Sequence, residues 1–89
     1  MIFKHMDRIV FAGDSVTDME SAQPVGEGLF ENVGKSYVRI VENMLSAFYP
    51  EVYIRVTNSG ISGNTSRDLL QRFDRDVVSL NPDWVSICI

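Results

Sequence analysis

The sequence predicts an α/β fold built on a parallel sheet, and three observations predict it. Short apolar runs from about Arg8 to Ala12, from Val52 to Thr57 and from Trp84 onward read as strands. Between them lie segments whose apolar residues recur every three or four positions, the period of a helix with one buried face. The resulting order, β-α-β-α-β, is that of parallel strands joined by right-handed crossovers.

The first run, Ile9-Val10-Phe11-Ala12, ends abruptly in Gly13-Asp14-Ser15-Val16-Thr17-Asp18. A buried strand that breaks at Gly-Asp-Ser delivers a hydroxyl into a loop at its carboxyl end, the edge where open α/β sheets bind ligands. Gly13 lets the chain turn there, and Ser15 is then displayed as a candidate nucleophile. A long loop from Asp14 to about Gly34 follows, with Pro24, Gly26 and Gly28 inside it. The next helix runs from about Ser36 to Phe48, where Val38, Val41, Met44, Leu45 and Phe48 form one apolar stripe, and Tyr49-Pro50 ends it. The second strand alternates until Asn58-Ser59-Gly60 breaks it. A loop from Ile61 to Asn64 leads to a helix opened by Thr65 or Ser66 as N-cap, with Asp68 in its first turn. Leu69, Leu70, Phe73, Val77 and Leu80 mark its buried face, and Asn81-Pro82-Asp83 stops it before the third strand.

Length and composition narrow the function. At 89 residues the chain is at most one domain, and its 45% hydrophobic and 22% charged content is that of a globular protein. A formal net charge of -4 without a run of Lys or Arg speaks against nucleic acid as a partner. No apolar stretch approaches the roughly 18 residues of a membrane span, and the amino terminus lacks the apolar centre of a signal peptide. A membrane is therefore not expected as a partner, and a cytoplasmic location is the default expectation. The single cysteine, Cys88, lies in an apolar run and reads as a small buried hydrophobe.

Parallel strands place all their carboxyl ends on one edge, so the loops after the first and second strands are expected to be neighbours. Two blocks sit there in order. Gly13-Asp14-Ser15-Val16-Thr17-Asp18 resembles the first signature block of the GDSL/SGNH hydrolases, and Asn58-Ser59-Gly60-Ile61-Ser62-Gly63-Asn64-Thr65 resembles their second. The resemblance covers essentially the whole chain. It implies a flavodoxin-like, three-layer α/β/α fold with a parallel sheet, here only its first β-α-β-α-β portion, so that residues 1–89 form the amino-terminal part of a single SGNH-hydrolase domain. It implies a serine ester hydrolase that works through an acyl-enzyme on a small-molecule ester, with Ser15 as nucleophile. The backbone N–H groups of Ser15 and Gly63 would be oxyanion donors, because attack on an ester places negative charge on the carbonyl oxygen. Asp14, Asp18 and Asn64 would support them, and Arg67 would be a surface or supporting charge. No cofactor and no metal are implied.

Two further family blocks find no match here: a Gly-x-Asn-Asp that would follow the third strand, and an Asp-x-x-His that supplies the base. The only histidine, His5, precedes the first strand, whereas Ser15 follows it. Five strand residues separate the two by about 16 Å, too far for proton transfer. The 89 residues alone are therefore expected to be inactive. The terminal run Trp84 to Ile89 is expected to be an exposed strand within a larger fold, open to self-association or complementation. An alternative reading is a non-catalytic binding or assembly module of the same fold. A further one makes Asp14 and Asp18 ligands of Mg²⁺. The loop from Glu20 to Gly34 is expected to border the pocket, with Glu27, Phe30 and Glu31 available to substrate. It carries no broad apolar stripe, which favours a short-chain or carbohydrate ester over a long acyl chain.

Overall fold

The computed structural model describes residues 2–28 and 32–89. Its centre is β1 (Arg8–Gly13), in which every residue after Arg8 is buried. β2 (Arg55–Gly60) and β3 (Trp84–Cys88) pair with it in parallel on either side, giving the order β2-β1-β3. The register sets Ala12 against Ser59 and Ile87, and Gly13 against Gly60 and Cys88. All three carboxyl ends therefore share one edge.

Alternation along β1 builds two cores. Ile9 and Phe11 pack with Val38, Ile54 and Val56 beneath α2 (Tyr37–Phe48). Val10 and Ala12 pack on the other face with Leu69 and Val77, against α3 (Ser66–Asp76). The result is the α/β/α layering that the family resemblance implies. Each long helix begins where a hydroxyl can accept an otherwise unpaired amide. The Ser36 side chain accepts from the amide of Val38 at 3.2 Å. Thr65 and Asp68 form a reciprocal capping box.

Four sequence expectations are corrected. The loop after β1 opens with a short helix, α1 (Ser15–Asp18), because the Asp14 side chain caps the turn at once. β2 starts and ends three residues later than expected. Its turn-forming Asn58-Ser59-Gly60 stays extended because the Asn58 side-chain amide finds tertiary partners, the carbonyls of Thr17 and Val33. The amide of Asn58 donates to Gly26 O at 2.8 Å, so the loop after α1 covers the outer edge of β2. Leu70 lies on the exposed side of α3, and the inward position between Leu69 and Phe73 belongs to Arg72. Cys88 is exposed, like all of β3, since no described element covers that strand's outer edge.

Gly13 also serves differently from expectation. It ends the strand without a positive φ, and a Cβ there would lie 2.2 Å from the carbonyl oxygen of Cys88. Close approach of β3, rather than a turn, demands glycine at this position.

Candidate active site

Ser15 is the first helical residue after the buried strand, and it is exposed. Asp14 holds it there. The carboxylate of Asp14 accepts from the Val16 amide at 3.1 Å, and its carbonyl accepts from the amides of Thr17 and Asp18 at 3.1 and 2.9 Å. These bonds fix the turn around Ser15 and leave the Ser15 amide itself outside the set. Thr17, fully buried beneath, exchanges a 3.0 Å hydrogen bond with the Tyr37 hydroxyl and so ties α1 to α2.

The second block arrives from β2. Ile61 donates its amide to Gly13 O at 3.0 Å, continuing the strand pairing one step past the end of β1. The Asn64 amide closes the following turn onto Ile61 O at 3.2 Å. Gly63, at the apex, has φ of +84°, a left-handed conformation that costs glycine little. A Cβ built there would meet nothing within 4 Å, so this face of the turn is open to a ligand. Among the described residues, the bonds that shape the turn run through the amides of Ile61 and Asn64, not that of Gly63.

Side chains lock the two blocks together. The Asp18 carboxylate accepts from the Ser21 hydroxyl at 2.6 Å and amide at 3.2 Å, and from the Ser62 hydroxyl at 3.1 Å. The carboxylates of both Asp14 and Asp18 are thus turned to loop-forming donors. Asn64 accepts a 2.6 Å bond from Arg72. Arg67 is exposed on the first turn of α3.

Two residues of the site escaped the sequence reading. Asn58 is buried, and its side-chain amide donates to Thr17 O at 2.6 Å and Val33 O at 2.8 Å while its oxygen accepts from the Gly60 amide at 2.9 Å. Arg72 reaches both blocks from α3. The available signal was an arginine three residues after Leu69, on the apolar stripe of a helix where a charge has no business unless it is paired.

Other expected residues go elsewhere. Glu27 is engaged by Arg8 at 3.2 Å, by Arg55 at 3.7 Å and by the Thr57 hydroxyl, alongside the first half of the sheet and away from Ser15. Its carboxylate balances two guanidinium groups. Phe30 and Glu31 lie outside the described residues. His5 is exposed and accepts a 3.1 Å bond from the Tyr53 amide, at the end of the sheet opposite Ser15. Among the described residues, no group of three or more His, Cys, Asp or Glu side chains could hold a metal ion, and no helix is long and apolar enough to cross a membrane.

A parallel sheet between helices, with a displayed serine and a glycine turn on its carboxyl edge, defines part of an α/β hydrolase domain of the SGNH type. The chain belongs to the GDSL-like lipase/acylhydrolase family, whose sequence profile matches residues 11–89. It is 53% identical over 83 residues to an acetylxylan esterase of Geobacillus stearothermophilus, an alignment covering 93% of this chain and 38% of that protein. The crystal structure of Axe2, an acetylxylan esterase from the same organism, superposes with a TM-score of 0.94 at 50% identity over 98% of this chain and 40% of that one. LAE5, an α/β hydrolase from the Lake Arreo metagenome, gives 0.90 at 42% identity over 96% and 39%. Solved structures of Axe2 also include catalytic mutants in which a serine, an aspartate or a histidine is replaced by alanine. The chain thus spans about two fifths of the length of these relatives.

Proposed function

We propose that this chain provides the nucleophile and part of the oxyanion site of a serine esterase acting on acetylated carbohydrate. One observation carries the reading: the turn bearing Gly63 is bonded to the segment bearing Ser15, through Ile61 to Gly13 and through Ser62 to Asp18. A hydroxyl and a ligand-facing glycine turn on one sheet edge suit acyl transfer. The resemblance to an acetylxylan esterase supports the carbohydrate O-acetyl ester as substrate class.

In this reading the Ser15 hydroxyl attacks the acyl carbon, its proton passing to a base, while the amides of Ser15 and Gly63 stabilise the oxyanion. Collapse expels the sugar hydroxyl with a proton, and water then releases acetate from the acyl-serine. Asp14, Asp18 and Asn64 hold the donors in place and take no proton. The base is an imidazole supplied from outside these 89 residues, because His5 sits at the opposite end of the sheet. The catalytic mutants of Axe2, at a serine, an aspartate and a histidine, support this division of labour.

A fluorophosphonate probe applied to the full-length gene product tests it. Stoichiometric labelling of Ser15, absent from Ser15→Ala, is expected. An unlabelled parent, or labelling that survives Ser15→Ala, overturns the reading. The isolated 89 residues are expected to turn over p-nitrophenyl acetate no faster than their Ser15→Ala variant.

The alternative of a non-catalytic assembly module draws on one observation, the exposure of Trp84, Val85, Ile87 and Ile89 along β3. Concentration-dependent dimerisation of a protein that the probe does not label would favour it.

A further inference from the structure

Arg72 is an arginine only 7% exposed on a helix whose partners on the same face are apolar. Burying a guanidinium is costly unless its donors are all satisfied. Here they are. Nε donates to Asn64 Oδ1 at 2.6 Å. Nη1 donates to Ser59 Oγ at 3.2 Å and Asp76 Oδ2 at 3.4 Å. Nη2 donates to Gly13 O at 3.2 Å and Ser59 O at 2.9 Å. These contacts use the five N–H groups that a guanidinium offers.

The acceptors matter more than their number. Gly13 O is the carbonyl that leads into Asp14 and Ser15, Ser59 O is the last strand carbonyl before Gly60, and Asn64 directly follows Gly63. A single rigid, planar group therefore touches the backbone just before the serine and the side chain just after the glycine turn. We infer that Arg72 is a positioning residue, one that sets the spacing between the Ser15 and Gly63 amides by clamping both strand ends and Asn64 from the α3 side. The inference rests on the proposed esterase site, since that site gives the spacing its purpose.

Its shape explains why an arginine is used. Lysine would keep the charge opposite Asp76 but offers three donors from one point, and it cannot reach Gly13 O and Asn64 Oδ1 together. Oxyanion donors act only when held at the right distance from the developing charge, and small misplacements are expensive in rate.

Arg72→Lys in the full-length gene product is the test, read by amide hydrogen exchange and by fluorophosphonate labelling of Ser15. Exchange at the bonded amides of Ile61 and Asn64 is expected to quicken by about tenfold or more while amides at the middle of β1 and α2 keep their rates, the mark of local opening. Labelling of Ser15 and kcat on p-nitrophenyl acetate are expected to fall about tenfold with KM unchanged, as for a loss confined to the transition state. Unchanged local exchange, or acceleration spread evenly over the domain, overturns the positioning role. A parent that the probe never labels defeats the esterase reading, while the exchange data still decide the clamp. If Arg72→Lys does not fold, Asn64→Ala removes the Nε contact alone and is expected to loosen the same turn. An undisturbed turn in that variant counts against the clamp.

Discussion

Ser62 donates its hydroxyl to the Asp18 carboxylate across 3.1 Å, and this bond joins the turn after β2 to the end of α1. Asp18 also accepts from the Ser21 hydroxyl and amide, so one carboxylate fixes three segments of chain around the site.

A double-mutant cycle with Asp18→Ala and Ser62→Ala is therefore expected to show coupling of about 0.5–1.5 kcal/mol in urea denaturation. Asp18→Ala should be the more destabilising single change, because it also releases Ser21. Strict additivity would mean that the Asp18–Ser62 contact does not hold the loops together.

Gly63→Ala separates strain from crowding. The methyl meets no neighbour, so the cost is that of a left-handed L-residue, about 1–2 kcal/mol. Labelling of Ser15 by fluorophosphonate should fall by a larger factor than this small loss of stability suggests, since relaxation of φ re-aims the Gly63 amide. Equal labelling of the two proteins would remove Gly63 from the oxyanion site.

Asn58→Ala tests the centre of the arrangement. It strands the carbonyls of Thr17 and Val33 and the amide of Gly60 in the interior, at a cost of at least about 2 kcal/mol. Equilibrium denaturation should register it as one of the more damaging substitutions of a polar residue, and a loss below about 0.5 kcal/mol would mean that water replaces the amide.

Asp76 gives the protein a pH signature. Hydrogen bonds from Arg75, aided by the nearby charges of Arg75 and Arg72, hold its carboxyl below the usual value of 3.8. A carboxylate depressed in the folded state stabilises it above the unfolded value, and that contribution is lost as the pH falls through the folded one. The midpoint difference between the protein and Asp76→Asn should be full near neutral pH and shrink once the pH drops below 3.8. A difference that ignores pH would show that the charge of Asp76 contributes nothing.

Much of this architecture is legible in the residues. The apolar run ending in Gly13-Asp14-Ser15 locates the serine, the helical stripes locate α2 and α3, and Thr65 with Asp68 marks the start of α3 by a purely local exchange of bonds. Local chemistry misleads where distant partners intervene. Asn58-Ser59-Gly60 has turn-forming composition, yet carbonyls from α1 and the loop before α2 satisfy Asn58 and keep the strand straight. Leu69, Leu70 and Phe73 suggest a continuous apolar stripe, yet the helix turns Leu70 outward and seats Arg72 over the strand ends. Glu27 looks available to a ligand until Arg8 and Arg55 are brought beside it.

Hydrophobic period and turn chemistry, which act within a few residues, determined the order of elements and the edge on which Ser15 is displayed. Only the folded chain decided which polar groups bind that edge together, because Asn58, Arg72 and the Ser62–Asp18 pair act on partners remote in sequence. A buried polar side chain is tolerable only once all those partners have converged on it.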